Sequence, residues 1–199
     1  MTRSMEFWKW FGDEERHLRQ LDAQELVDVL CSRLSWLKPD LSIEVSIPKE
    51  PEHEVEVIVS VAGNRARFAD VRELVGQAPT LSDWRFLALK PARGFDFTAD
   101  IGGCQVKANE LFFDPLSAGD SISLGVQLYA PTGLAQHPAN EEIAWTILET
   151  GIGEEACSFI ARVDVLDSQS QSTGALPISD LGEYVRWHCA RHGGNSHGP

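Results

Sequence analysis

Residues 43–47 read Ile-Glu-Val-Ser-Ile, and residues 54–61 read Glu-Val-Glu-Val-Ile-Val-Ser-Val. Apolar and polar side chains alternate in both stretches, which is typical of strands that bury one face. The short segment between them contains two prolines and reverses the chain. The two stretches therefore predict an antiparallel hairpin, and the elements around this hairpin decide the fold class.

A helix and a third strand are predicted after the hairpin. The helix is indicated by apolar side chains at helical spacing, namely Phe68, Val71, Leu74 and Val75. Residues 84–89 are apolar apart from Arg85, which is typical of a central strand that is buried on both faces. The first half of the chain, about residues 40–92, thus has the order strand, strand, helix, strand.

The same order recurs in a second half, about residues 108–167. A short strand at 111–114 and an alternating stretch at 121–130 precede a helix at 140–151, with Asn140 as its N-cap and Gly151 or Gly153 at its end. Residues 157–166 alternate again, with apolar side chains on one face at Phe159, Ala161, Val163 and Val165. The repeated order has two explanations, an internal duplication or the frequent occurrence of such units.

Between the halves, Gly102-Gly103 separates two alternating runs. This arrangement predicts a second hairpin, because type I′ and II′ turns need positive φ angles that glycine adopts freely. We therefore predict an α+β fold with about eight strands in largely antiparallel sheet and helices on one face. One continuous sheet and two packed half-sheets both fit this pattern.

The regions outside the two halves are predicted to be mostly helical. Asp22 and Glu25 have the spacing of a capping box at the start of a helix, and Ser179 is expected to cap a last helix through Trp187. Residues 1–192 are expected to form a single domain, and 193–199 a flexible tail. Aromatic side chains cluster near the N-terminus, where they either pack on the core or form an exposed partner-binding patch: Phe7, Trp8, Trp10 and Phe11.

The chain is strongly acidic, with 17 Lys and Arg against 30 Asp and Glu and a net charge of −13. A field of this sign repels nucleic acids and anionic membranes, so no nucleic-acid or membrane partner is expected. The charge either keeps the protein soluble or forms an acidic face for a basic protein partner. Four scattered cysteines without a CxxC pair, and the lack of a signal peptide, indicate reduced thiols in the cytoplasm.

Histidines near the C-terminus are the strongest metal candidate. His188 and His192 are spaced to share one helix face, and His197 follows. The HxxxH spacing lacks the glutamate of a zinc-protease helix, so solvated tail residues are the simpler interpretation. The sequence leaves open whether these histidines bind metal.

A cysteine nucleophile is the second candidate. Cys104 follows the Gly102-Gly103 turn, and activation of its thiol needs a base, for which His53 and His137 are the candidates. The turn explains the glycines without catalysis. Adjacent carboxylates such as Glu141 and Glu142 suit a helix N-terminus, and no phosphate-binding or serine-hydrolase motif occurs. No catalytic, cofactor-binding or metal residue is therefore assigned.

Four segments carry a resemblance: residues 7–15 (Phe-Trp-Lys-Trp-Phe-Gly-Asp-Glu-Glu), 38–44 (Lys-Pro-Asp-Leu-Ser-Ile-Glu), 78–86 with Ala78-Pro79 and Trp84-Arg-Phe86, and 176–181 (Leu-Pro-Ile-Ser-Asp-Leu). With these segments the chain resembles a bacterial protein family classified as a domain of unknown function. The resemblance spans nearly the whole chain and implies a single-domain protein of the bacterial cytoplasm. It implies no activity and no site residue, because the matching motifs are structural.

Three functions follow from these features. The first is a non-catalytic protein-binding, adaptor or regulatory module with a basic partner, such as a toxin-neutralising protein. The second is an enzyme, a small hydrolase that joins His53 or His137 to Cys104 or to an acidic side chain. The third is a homodimer whose sheet edges pair. We favour the first function and expect no cofactor.

Overall fold

The computed structural model describes residues 2–35, 40–48, 54–116 and 122–192. The chain divides into two compact units, Met1–Lys90 and Pro91–Pro199. The described elements combine helices with antiparallel and parallel strands, so the predicted α+β class is confirmed. One predicted half lies in each unit; that residues 1–192 form one domain stays a prediction, and the tail 193–199 lies outside the described residues.

In the first unit, two N-terminal helices are followed along the chain by the predicted order of strand, strand, helix, strand. Its elements are α1 (Arg3–Leu18), α2 (Ala23–Leu34), β1 (Ser42–Ser46), β2 (Val55–Ser60), α3 (Phe68–Val75) and β3 (Trp84–Ala88). The strands form a sheet of order β1-β2-β3, with β1 antiparallel and β3 parallel to β2. The predicted hairpin is therefore confirmed, although its loop at 49–53 lies outside the described residues.

The prediction that β3 is a central strand is wrong. β2 takes the centre of the sheet, and no described strand pairs with the other side of β3. Arg85 is exposed, and Phe86 is only half-buried. The apolar run has a different origin, because Trp84 and Phe86 extend from the sheet into an aromatic cluster against α1.

This aromatic cluster confirms that the N-terminal aromatics pack on the core. Phe11 is fully buried, and its ring lies edge-on to Trp84 at 4.9 Å and to Phe86 at 5.1 Å. Phe7 is also buried, and buried Trp8 donates its indole N–H to the carbonyl of Leu74 at 2.7 Å. The alternative of an exposed partner-binding patch is therefore wrong for these rings.

Helix α2 starts as its sequence predicts. The Asp22 carboxylate accepts the backbone N–H of Glu25 at 2.9 Å, and the Glu25 carboxylate accepts the N–H of Asp22 at 3.2 Å. Both bonds of a capping box are thus present, and they satisfy two backbone donors that a helix start leaves open.

The second unit is built around a four-stranded sheet and a separate hairpin. Its elements are β4 (Thr98–Ile101), β5 (Cys104–Lys107), β6 (Phe112–Leu116), β7 (Leu124–Ala130), α4 (Thr132–Ala135), α5 (Asn140–Cys157), β8 (Ile160–Asp167), β9 (Leu176–Pro177) and α6 (Leu181–His192). The sheet order is β8-β7-β6-β9, and only β7 and β8 run parallel. β4 and β5 pair with each other across Gly102 and Gly103, whose φ values of 61° and 82° are both positive, as in type I′, one of the two predicted turn types.

Both N-caps predicted for this unit are wrong, although α5 does begin at residue 140 as predicted. Asn140 is the first helical residue, not the N-cap, and its side chain donates to the carbonyl of Ala135 at 2.9 Å. Ser179 lies in a short 3-10 turn before α6, and its hydroxyl donates to Asp180 instead. In each case the polar side chain bonds to a nearby group and not to the first N–H groups of the helix. Such residues form either kind of bond, so the residue type alone does not predict a cap.

Gly153 interrupts helix α5, in agreement with one of the two predicted helix ends. The φ of Gly153 is 82° and its ψ is 159°, a conformation essentially restricted to glycine, and one further turn reaches Cys157. β8 then departs from the predicted alternation at Ala161, which is exposed. A register shift opposite Leu124 and Gly125 leaves Ala161 as an extra residue, so the alternating phase changes there.

Candidate binding face of the second unit

The four-stranded sheet has one face against its helices and one polar face. Phe113, Leu128 and Val163 belong to the core cluster that also contains α5 and α6. Side chains alternate along a strand, so the residues between these core positions point the other way. We call this second surface the polar face and define it by Asp114, Gln127, Tyr129, Arg162 and Asp164.

The polar face brings two carboxylates into one row across three strands. Asp114 on β6 is aligned with Gln127 on β7, and Gln127 is aligned with Asp164 on β8. Neighbouring strands lie about 4.8 Å apart, so the two carboxylates are separated by roughly 10 Å at the backbone. A guanidinium or ammonium group approaching the row can therefore interact with carboxylates at either end.

Tyr129 holds the carboxylate of Asp114 in place. The phenol is 4% exposed and donates to Asp114 Oδ2 at 2.8 Å. Gln127 Oε1, a second acceptor, lies 3.2 Å from the same phenol oxygen. The hydrogen bond to Asp114 raises the pKa of Tyr129, burial and the charge of Asp114 raise it further, and hydrogen bonds from Ser172 oppose them. Tyr129 therefore stays protonated at neutral pH and acts as a fixed donor.

The two carboxylates of the row differ in their cationic neighbours. Arg162 Nε lies 2.8 Å from Asp164 Oδ1, and this bond raises the pKa of the guanidinium. Asp114 is half-buried, and no described Lys or Arg forms an ion pair with it. A half-buried carboxylate that is positioned by a phenol suits a cation from another molecule.

The Tyr129–Asp114 contact predicts how the phenol titrates. The phenolate absorbance step of Tyr129 is the one that is lost in Tyr129→Phe. We expect this step above pH 10, which is the ordinary pKa of a tyrosine. Asp114→Asn removes the charge and the strongest acceptor, so it should shift this step to lower pH. Ultraviolet difference titration of the three proteins measures both effects. A Tyr129 step at or below the ordinary value in the unsubstituted protein would contradict the contact.

Because folding raises the pKa of Tyr129, its contribution to stability is present below the pKa of the unfolded chain. That contribution is lost as the pH rises through the folded value, so the effect is confined to strongly alkaline solution. At neutral pH the phenol therefore serves to position Asp114 and not to sense protons.

The structure brings one predicted histidine close to the turn before Cys104. A Cβ built on Gly102 would lie 3.4 Å from His137 Cε1 and Nε2. His137 Nδ1 accepts the backbone N–H of Ala139 at 3.2 Å, so the neutral ring carries its proton on Nε2. The nitrogen next to the turn is thus a donor, whereas a base for a thiol must be an acceptor. His53 lies outside the described residues.

The C-terminal histidines are also close to each other. The ring centroids of His188 and His192 lie 4.5 Å apart on α6. His188 is buried beside Tyr184, so the interpretation as a solvated tail residue is wrong for His188. Among the described residues, no group of three or more His, Cys, Asp or Glu side chains is arranged to hold a metal ion. His197 lies outside those residues, so the absence of a metal site stays a prediction.

Three basic residues of the first unit form ion pairs. Arg67 contacts Asp40 at 3.0 Å and Asp70 at 2.7 Å, Arg85 contacts Glu56 at 3.3 Å, and Lys90 contacts Glu44 at 2.6 Å. These three side chains therefore balance the charge of neighbouring carboxylates. All four cysteines lie within the described residues, and no disulfide joins any two of them.

Sequence reasoning did not single out Asp114 or Tyr129. The alternation in 121–130 already places Gln127 and Tyr129 on the face opposite the apolar residues. The contact with Asp114 depends on the register between β6 and β7, which local periodicity does not contain. The sequence thus places Gln127 and Tyr129 on the polar face but does not show their contact with Asp114.

Within the described residues, no helix has both the length and the apolar character needed to cross a bilayer. Comparisons of the chain with protein-family models, with curated proteins and with solved structures find no match. Membership of the bacterial family that the sequence resembles therefore stays a prediction.

Proposed function

We propose that this chain is a non-catalytic adaptor or regulatory module of the bacterial cytoplasm, and that its polar face binds a basic segment of a protein partner. The observation that carries the proposal is Asp114, a half-buried carboxylate that Tyr129 positions and that no described cation neutralises. A lysine or arginine from a partner would supply the missing charge in a partly desolvated setting, where such pairs discriminate strongly between partners.

The distribution of charge supports the same surface. Residues 91–199 hold 14 of the 30 acidic side chains but only 5 of the 17 basic ones, which leaves nine excess negative charges in the second unit out of thirteen. A field of this sign attracts a basic partner and speeds its association. The geometry of His137 also favours a binding role over thiol catalysis, since its accepting nitrogen is already used by Ala139.

The test is capture of partners from the native cytoplasm with three tagged proteins. We expect the unsubstituted protein to retain a basic partner, and Asp114→Asn to weaken it by about 2 kcal/mol, or roughly thirtyfold in Kd. Asp96→Asn is the matched control, because it removes the same charge from an exposed position of the same unit. Quantitative mass spectrometry followed by a direct Kd measurement reads the effect.

Two outcomes contradict the proposal. Equal loss of the partner in Asp114→Asn and Asp96→Asn would mean that only net charge matters and that the polar face is not the site. A partner that binds all three proteins equally, or that is not basic, would place the interaction elsewhere. Circular dichroism of each variant confirms that the fold is kept.

A further inference from the structure

Strand β8 forms an open edge of the second sheet. It has eight residues, and in the described chain only β7 pairs with it. Ala161 and Arg162 are exposed on this strand. An edge strand presents backbone N–H and C=O groups that a strand from another molecule can pair with.

The charges on β8 are arranged so that the edge complements itself. Arg162 and Asp164 stand two positions apart on the same face, on either side of Val163. If two β8 strands pair antiparallel with Val163 opposite Val163 of the partner subunit, Arg162 lies opposite Asp164 of the partner subunit. The two-fold symmetry forms the reciprocal pair as well, so one register produces two opposite-charge pairs.

The other strands of the described sheets lack this property. β1, β3 and β9, which are edge strands, and β4 and β5 of the hairpin carry no oppositely charged residues two positions apart. Charge therefore selects one strand and one register.

We propose that the protein forms a two-fold symmetric dimer through antiparallel pairing of β8 with β8 of a second copy, centred on Val163. The dimer joins two four-stranded sheets into one of eight strands and buries the open edge. This inference rests on the open edge of β8 with Arg162 and Asp164, whereas the basic partner is inferred from Asp114; Arg162 and Asp164 also belong to the polar face.

The same strand also has features that oppose dimerisation. Arg162 and Asp164 already contact each other within one chain at 2.8 Å, and charged side chains on an edge strand also protect it from pairing. The extra residue at Ala161 bends the strand in the same region. The net charge of −13 on each copy opposes association at low salt.

Charge reversal distinguishes a dimer held by cross-strand pairs from an edge that its charges keep unpaired. In Arg162→Asp alone, both cross-strand pairs become carboxylate pairs, and in Asp164→Arg alone, both become cation pairs. We expect each single variant to weaken the dimer by about tenfold or more in sedimentation equilibrium of the full chain. A mixture of the two variants restores opposite charges at both positions, so it should form a heterodimer of near-original affinity.

The mixture distinguishes pairing between chains from pairing within one chain. The intrachain contact is broken in both single variants, and mixing does not repair it. The double variant Arg162→Asp with Asp164→Arg restores both kinds of pair and should dimerise alone. A protein that is monomeric at all concentrations, or a dimer that the single reversals leave unchanged, would overturn the proposal; circular dichroism shows that each variant is folded.

Discussion

Phe11→Ala is expected to lower the free energy of unfolding of the first unit by about 4 kcal/mol. Phe11 is fully buried, and its ring contacts aromatic rings both on its own helix and on β3. Truncation removes the burial of the ring and leaves a cavity between α1 and the sheet. The surrounding rings of Trp84 and Phe86 are held by β3 and cannot close the cavity completely.

Denaturant unfolding followed by tryptophan fluorescence measures this loss, because Trp8 and Trp84 lie beside the substituted ring. Met5→Ala is the matched control, since Met5 is on the same helix and its side chain is 49% exposed. We expect the control to change the free energy of unfolding by no more than about 0.5 kcal/mol. A loss below about 1 kcal/mol in Phe11→Ala would show that α1 does not pack on the sheet as described.

The parts of this fold that the sequence predicts are those fixed by local interactions. The alternating residues of β2 predict a strand that buries its valines, and the glycines of the β4–β5 turn accept positive φ angles. The Asp22–Glu25 capping box needs only residues three positions apart. Each signal lies within a few residues, so the sequence contains it completely.

The parts that the sequence misses depend on residues far apart in the chain. β3 has the composition of a central strand but stands at an edge, because its apolar side chains serve the aromatic cluster. The pairing of β6 with β9 joins segments more than 60 residues apart, and the extra residue at Ala161 exists only relative to β7. The Tyr129–Asp114 contact belongs to the same class, since it requires the register of two strands.

Gly151→Ala is expected to destabilise the second unit by about 2 kcal/mol, although alanine is the better helix former. Gly151 is buried in α5, and a Cβ at this position would overlap the ring of Phe95. The segment before Phe95 is tied to the same helix, since Arg93 and Gly94 donate their N–H groups to the carbonyls of Thr150 and Gly151, each at 3.0 Å. The ring therefore cannot move away without breaking these hydrogen bonds.

Gly12→Ala tests whether the loss of stability in Gly151→Ala arises from the overlap with Phe95 or simply from replacing a glycine within a helix. Gly12 lies in α1, and a Cβ there would have no neighbour within 4 Å. The same substitution should therefore stabilise the first unit, by up to about 1 kcal/mol. Thermal unfolding of both variants should give shifts of opposite sign. A stabilised Gly151→Ala would contradict the packing of Phe95 on α5.

Phe95→Leu provides the decisive combination with Gly151→Ala. Leucine removes the planar ring that the new methyl group would overlap, at a cost of its own for the lost contacts. If the two side chains compete for one space, the double variant should lose at least about 1 kcal/mol less than the sum of the single losses. Additive losses would mean that the two sites do not touch. Non-additive losses would instead show that residue 151 must be glycine because Phe95 packs against α5, and not because the helix itself needs a glycine there.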